Sequence, residues 1–233
     1  MSSGSVYIVG TPIGNLADIS FRALETLRSV DLIAAEDTRH TRKLLSHYDI
    51  HKPLLSYHSQ NMQKRGLQLL QRVEAGEAIA LVTDAGTPGI SDPGALLIRQ
   101  ALDMDIQIVS VPGPAALIAA LVVSGLPTQP FAFLGFPPSR GAGRRRFFRS
   151  YSDLTMTLVL YEAPQRLYRT LKDLYEFWGN RRIAVARELT KRYEEVYRGN
   201  VVDAQDHFTQ QVKGELTLVV AGAEATISEA AGA

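Results

Sequence analysis

Cysteine is absent from this 233-residue chain. Its absence excludes disulfides, Cys-ligated zinc, iron–sulfur clusters and a thiolate nucleophile. It is compatible with a reducing compartment. An excess of one charge is also missing. Lys and Arg total 25 against 24 Asp and Glu, a formal net charge of +1, so composition alone does not mark a nucleic-acid binder. Long apolar runs are missing as well. The longest, 114–123, has about ten residues where a membrane-spanning helix needs about 20, and it is expected to be a buried helix. The apolar run after Ser5 lacks a basic leader and a long apolar core, so a strand is expected there rather than a secretion signal. These absences point to a cytoplasmic protein with no membrane partner. The five histidines form no H-E-x-x-H pattern, so no metal site is expected, and G-x-S-x-G is absent too.

What is present is ordinary globular composition, 45% hydrophobic and 21% charged, in a chain long enough for two modest domains. Short apolar runs alternate with helical patterns through the first half. Strands are expected at 6–9, 32–35, 53–57, 78–82 and 106–111. Helices are expected at 38–48, 61–75, 92–104 and 114–124, plus one capped by Ser20 with Phe21, Leu24, Leu27 and Val30 on its apolar face. Such alternation argues a mainly parallel sheet covered on both sides. Two prolines and a glycine punctuate 125–130, which sets the expected domains at 1–124 and 125–233. Beyond that point strands are expected at 131–136, 155–161, 183–187, 195–197 and 215–221. Helices are expected at 144–151, 165–178 and near 204–211. The closeness of Arg187 and Tyr197 suggests an antiparallel hairpin. The small, polar tail 225–233 is expected to fray.

The near-zero charge is a cancellation. Residues 1–124 hold 10 basic and 12 acidic side chains, and residues 125–233 hold 15 and 12. Much of the surplus is Arg140, Arg144, Arg145, Arg146 and Arg149, in a stretch with no acid between Pro130 and Asp153.

Three expected strands end in Gly/Pro-rich loops: GTPIGN (10–15), TDAGTPGISDPG (83–94) and VPGPAA (111–116). In a parallel sheet all three lie on the carboxyl edge, where open α/β sheets bind ligands. The first is neither G-x-G-x-x-G nor a P-loop. Asp84 and Asp92 add carboxylates able to meet a cation or a ribose. The segment Glu36–Lys43 pairs an acidic start, with Asp37 as cap, with the basic residues Arg39, Arg42 and Lys43. It is either a solvated helix or a phosphate contact. YEAPQR (161–166) and RELTK (187–191) end two further strands.

These segments, with AAEDTR (34–39), resemble the tetrapyrrole-methylase superfamily and, within it, the ribosome-directed branch. The match runs in order from about residue 6 to 221. Each motif is modest; six in register are specific. The resemblance implies a two-domain α/β fold with a mainly parallel sheet in the N-terminal domain and a mixed sheet in the C-terminal domain. It implies S-adenosylmethionine bound in the cleft between them, a homodimer, and 16S rRNA of the small ribosomal subunit as partner. This branch methylates the ribose 2′-hydroxyl of a cytidine in the decoding region. By position, Pro12, Ala85, Gly86, Thr87, Ile90, Ala115, Ala116, Tyr161, Arg187 and Leu189 are the implied cofactor contacts. Tetrapyrrole-modifying members carry G-P-G-D in the first loop, where this chain has Thr11-Pro12-Ile13-Gly14-Asn15; the departure favours the RNA branch. Members commonly carry a further small helical domain after the last strand, whereas this sequence stops at Ala233.

A ribose hydroxyl is a poor acid, so methyl transfer to it is helped by a nearby base or cation. Asp84, Glu188 and Lys191 are the candidates by position. Lack of cysteine excludes thiolate-dependent and radical routes, leaving direct transfer to oxygen. Arg144, Arg145, Arg146 and Arg149, with Phe147 and Phe148, are the expected RNA contacts beside Arg39, Arg42 and Lys43, either stacking on bases and pairing phosphates or forming a solvated helix with its Phe in the core. Two other readings stand against this one: methylation of a tetrapyrrole, and a non-catalytic RNA-binding assembly factor.

Overall fold

The computed structural model describes residues 4–209 and 212–224. They fall into two compact units, Met1–Ala115 and Ala116–Ala233. The tail 225–233 and the end of the helix expected at 204–211 lie outside the described residues.

In the first unit β1 (Ser5–Val9), α1 (Phe21–Ser29), β2 (Leu32–Ala35), α2 (Thr38–His47), β3 (Leu54–Ser56), α3 (Met62–Glu74), β4 (Ile79–Val82), α4 (Gly94–Asp103) and β5 (Gln107–Val111) follow one another. The strands pair in the order β3-β2-β4-β1-β5, all parallel. Side chains alternate between two cores, as the period of two requires. Val9, Ile33, Ala35, Ala80 and Val82 pack with α1 and α2 through Leu24, Leu27, Leu44 and Leu45. Val6, Ile8, Leu32, Ala34, Ile79 and Leu81 pack with α3 and α4 through Leu69, Leu70, Val73 and Leu97. Both faces are covered, which is why β2 and β4 are apolar at every position. One expected core residue differs: Phe21 is 88% exposed. Ser20 caps α1 by accepting the Ala23 N–H at 3.1 Å, and that places Ala23, Leu24 and Leu27 on the buried side.

Chain connections run outward from β1 through β2 to β3, then return to β4 and on to β5. The direction changes between the adjacent strands β1 and β4. Such a switch point leaves a crevice at the carboxyl edge, because the loops diverge there. The first two Gly/Pro loops follow these two strands.

The second unit contains α5 (Ala116–Val123), β6 (Phe131–Phe133), α6 (Gly141–Ser150), β7 (Thr157–Glu162), α7 (Leu167–Trp178), β8 (Arg182–Arg187), β9 (Glu195–Asn200), α8 (Val201–His207) and β10 (Leu216–Val220). Its sheet is mixed, in the order β6-β7-β10-β8-β9. β6 and β7 are parallel, and the other pairs, including the β8–β9 hairpin, are antiparallel. One face carries Phe148, Leu160, Leu171, Leu174, Trp178 and Leu218. The other is covered by α5, whose Ala120 and Leu121 meet Val159, Ala184, Ala186 and Val219. The division between units therefore precedes α5, whereas the Gly/Pro punctuation at 125–130 follows it: a helix belongs with the sheet it buries.

Arg144 departs from the expected RNA-binding set. It is 2% exposed and every donor group is engaged inside the unit. Nε donates to Asp173 at 2.5 Å, Nη1 to the Pro138 carbonyl at 2.9 Å and Nη2 to Thr170 Oγ1 at 2.8 Å. The buried Glu162 lies 4.0 Å away, accepts the Thr170 hydroxyl and pairs with Arg166 at 2.6 Å. Phe148 is fully buried beneath Arg144. Neither residue is presented to an outside partner. Removing one member of a buried ion pair leaves an uncompensated charge and costs about 3–5 kcal/mol. Arg144→Met is expected to destabilise by about that amount, read as a large drop in thermal midpoint. Arg146→Ala, on the exposed side of the same helix, is expected to change stability by no more than about 0.5 kcal/mol.

Candidate functional site

In the first unit the three Gly/Pro loops are joined backbone to backbone. Thr11 N–H donates to the Gly86 carbonyl at 2.9 Å and Gly86 N–H to the Thr11 carbonyl at 3.1 Å, a one-residue antiparallel bridge. The buried Thr11 hydroxyl adds bonds to the carbonyls of Thr83 (3.1 Å) and Gly86 (3.3 Å). Gly10 N–H donates to Val111 at 3.1 Å, and Gly10 lies against Gly113 so closely that a Cβ on Gly10 would sit 2.7 Å from the Gly113 Cα. Thr87 Oγ1 reaches the Pro114 carbonyl at 3.4 Å. Gly86 adopts φ +84°, which a side chain would strain. Pro12 and Gly86 are buried within this junction, while Ala85 and Ile90 face outward and Thr87 is half-buried. Ala115 ends the first unit and Ala116 opens α5, both half-buried.

The two aspartates of the second loop have different tasks. Asp92 is taken up by the loop: its carboxylate accepts N–H bonds from Gly89 at 2.9 Å and Gly94 at 2.6 Å. Asp84 accepts the Asp37 N–H at 2.9 Å through Oδ1. Burial pushes its pKa up against that bond, and the neighbouring carboxylates of Glu36 and Asp37 add to the rise. Glu36, read in the sequence only as part of the acidic start of the 36–43 segment, belongs here: Thr83 Oγ1 donates to its Oε2 at 2.7 Å. Its place directly after β2 was the available signal. Asp37 caps α2 by accepting the Arg39 N–H at 2.8 Å, and the Arg39 guanidinium folds back on it at 2.8 Å. Arg39 thereby holds the Asp37 carboxyl well below the usual carboxylate range. Arg42 and Lys43 are exposed on α2.

In the second unit the half-buried Tyr161 packs edge-on to Phe133 with ring centroids 4.8 Å apart. Its hydroxyl accepts the Leu117 N–H at 3.2 Å, satisfying one of the free amides at the start of α5. Burial raises its pKa. Arg187 pairs with Glu195 at 2.8 Å. The turn after it is tight: Glu188 and Thr190 adopt φ +51° and +66° on either side of Leu189. Leu189 packs on the α5 side of the sheet.

Glu188 and Lys191 form a closed ionic group. Lys191 Nζ donates to Glu188 Oε1 and to Glu215 Oε2, each at 2.9 Å, and Glu188 Oε1 also accepts the Glu215 N–H. Burial pushes the Glu188 pKa up, but the Glu215 amide and Lys191 outweigh it and the net direction is down. Burial likewise pushes Lys191 down, and its two carboxylates reverse this. Lys191 therefore stays protonated and Glu188 is a weaker base than an ordinary carboxylate, so neither is suited to accept a proton. Asp84 differs from them in direction.

Arg145, Arg146 and Arg149 are exposed on α6, opposite the buried Arg144 and Phe148. They are i, i+3 and i, i+4 neighbours, so one face of the helix carries three positive charges. Arg149 lies 5.6 Å from the Phe177 ring centre. Among the described residues no group of three or more His, Asp or Glu is arranged to hold a metal. No described helix is long and apolar enough to cross a membrane. The closeness of Gly10 to Gly113 is testable. Gly10→Ala is expected to cost about 1–3 kcal/mol by overpacking. Gly143→Ala, in a helix and with nothing within 4 Å of the new Cβ, is expected to be neutral or stabilising by up to about 1 kcal/mol. Thermal unfolding of both variants checks the contrast.

Residues 5–205 match the model of the Tetrapyrrole (Corrin/Porphyrin) Methylases. The chain is 51% identical over 222 residues to a Synechocystis protein named ribosomal RNA small subunit methyltransferase I, with 94% of this chain and 80% of the relative covered. A Thermotoga maritima protein of the same name is 48% identical over 222 residues, covering 95% of this chain and the whole of the relative. Among solved structures, diphthine synthase superposes with a TM-score of 0.75 at 14% identity, covering 94% of this chain and 90% of that one. A uroporphyrin-III C-methyltransferase from Thermus thermophilus, complexed with S-adenosylhomocysteine, superposes with a TM-score of 0.66 at 18% identity, covering 93% and 97%. A family match over most of the chain and relatives near half identical agree with the two-sheet architecture: this chain belongs to the tetrapyrrole methylase family.

Proposed function

We propose that this chain transfers the methyl group of S-adenosylmethionine to the ribose 2′-hydroxyl of a cytidine in the decoding region of 16S rRNA. The observation that carries the reading is the 51% and 48% identity, over nearly the whole chain, to proteins named for methylation of small-subunit rRNA. The cytoplasm as location and a homodimeric state are parts of the same reading.

The residues of the three-loop junction fit the cofactor. Its outward side chains, Ala85 and Ile90, are small or apolar, and the exposed Gly113 of the third loop adds no side chain. Such a wall admits a flat heterocycle at close range, and Asp84 at its border supplies negative charge toward a cation. S-adenosylmethionine bound there would supply a methyl group made electrophilic by a sulfonium. The junction orients, and orientation alone is worth about 7–11 kcal/mol in favourable cases. Asp84 receives the hydroxyl proton: burial makes it more basic than an ordinary carboxylate, and Asp37 N–H holds one of its oxygens in place. Glu188 and Lys191 shape the Leu189 turn through their ion group. The exposed Arg145, Arg146 and Arg149 meet RNA phosphates.

Incubation with tritiated S-adenosylmethionine and small-subunit particles tests the reading. Label on the ribose of a 16S rRNA cytidine is expected; label on an added tetrapyrrole alone, or none despite cofactor binding by calorimetry, sinks it. The pH profile has a defined sign. A base with a raised pKa loses its proton-accepting form as pH falls through that pKa. The acid limb of kcat/KM is therefore expected at higher pH than an ordinary aspartate would give. Asp84→Asn removes that limb and lowers kcat by about 10²–10⁴-fold. Replacing Arg145, Arg146 and Arg149 together by Ala is expected to flatten the log–log salt dependence of RNA binding by about two units, with cofactor affinity unchanged.

A further inference from the structure

Next to the three-loop junction, at the carboxyl ends of β2 and β3, lies a cavity of about 370 Å³. Glu36, Arg39, Ser56, His58, Ser59 and Gln60 contribute to its lining. It draws on two loops held rigid by their own bonds. Asn61 pins the loop after β3 by accepting the His58 N–H at 2.9 Å and donating to the Ser56 carbonyl at 3.2 Å. Thr83 fixes the Glu36 carboxylate through Oε2, and Oε1 has no hydrogen-bond partner among the described residues. Asp37, also in the lining, donates its N–H to Asp84. Through that bond the cavity adjoins Asp84, which lies just outside its lining.

The charge of this cavity selects what it takes. Arg39 is folded onto Asp37, so Glu36 is left as the lining's uncompensated carboxylate, with Asp84 behind Asp37. Phosphate is repelled by such a lining, whereas hydroxyls and amino groups are donors to it. The size lies in the range of small-molecule pockets. An imidazole face, His58, is available for stacking a base. A free carboxylate oxygen accepts from an exocyclic amine, as acidic side chains do with the amino group of cytosine. Arg42 and Lys43, exposed on the helix that starts here, offer cations for the flanking phosphates.

We propose that this cavity is the acceptor subsite: it receives one unstacked ribonucleoside whose base carries an exocyclic amine, with Glu36 as the specificity-determining residue. The proposal rests on the RNA-methylation reading above for the identity of its polymer. Glu36 acts by accepting the base amine, His58 by stacking, and Asp84 faces the sugar side.

The test uses the full chain with S-adenosylhomocysteine and a short labelled single-stranded RNA, carrying either cytosine or uracil at its centre, followed by fluorescence anisotropy. The wild type is expected to favour the cytosine RNA by ten-fold or more. Glu36→Gln, isosteric but uncharged, is expected to lose that preference. Ser59→Trp, an exposed loop position that fills the cavity, is expected to weaken both RNAs at least ten-fold. Calorimetric affinity for S-adenosylhomocysteine is expected to stay at the wild-type value in both variants. A wild type without base preference, or variants that bind as the wild type does, overturns the subsite. Label transfer from tritiated S-adenosylmethionine separates the two ideas. A wild type that selects cytosine through this cavity but labels no RNA keeps the subsite and refutes methylation; one that labels RNA while both variants match it does the reverse.

Discussion

Contact between the backbones of Gly10 and Gly113, with the Thr11–Gly86 bridge beside it, is the constraint on which the carboxyl edge of the first unit's sheet depends. Three loops leaving three parallel strands have no reason of their own to meet. They meet because two positions lack a Cβ and because one buried threonine hydroxyl finds two carbonyls of the neighbouring loop. Every buried polar group in the junction needs a partner, and the partners are supplied across loops rather than within them. A wall of small side chains and backbone results, in register with the point where the sheet reverses its winding direction.

Asp84 stands where this wall ends. Its basicity comes from burial and from two neighbouring carboxylates, not from an attached base. Glu188 and Lys191, equally plausible on residue type, are held ionised by each other and by Glu215. The three candidates thus split into one carboxylate with a raised pKa and one closed ion group. The difference lies in their partners, since a carboxylate beside a lysine and one beside other carboxylates shift in opposite directions.

Arginine shows the same division on α6. Arg144 and Arg146 are two residues apart in one run, yet one is sealed among Glu162, Thr170 and Asp173 and the other is in solvent. Helical periodicity separates them: 200° of rotation places them on opposite sides. The buried arginine ties α6 and α7 together. The exposed three keep the only face of that helix on which charge is free to act at a distance.

Much of this was legible in the chain itself. Alternating apolar runs and helical patterns, the Ser20 cap and the Gly/Pro loops after successive strands follow local rules, and local rules are written in local sequence. They yielded the parallel first sheet, the antiparallel hairpin of the second and the clustering of the three loops on one edge; the mixed second sheet came from the family resemblance. Folded packing was needed for the rest. No pattern distinguishes Arg144 from its neighbours, because its partners Asp173 and Thr170 come from another helix. Phe21 looked like a core position, since a helix face alone does not say where the facing element stops. Glu36 and His58 form one cavity although they sit on separate loops, and Asp84 owes its character to burial and to Glu36 and Asp37, which follow another strand. Secondary structure and the identity of the motifs are near-neighbour properties. Burial, pairing and pKa depend on which distant segments arrive at the same place, and that is settled only when each sheet forms and brings its loops together.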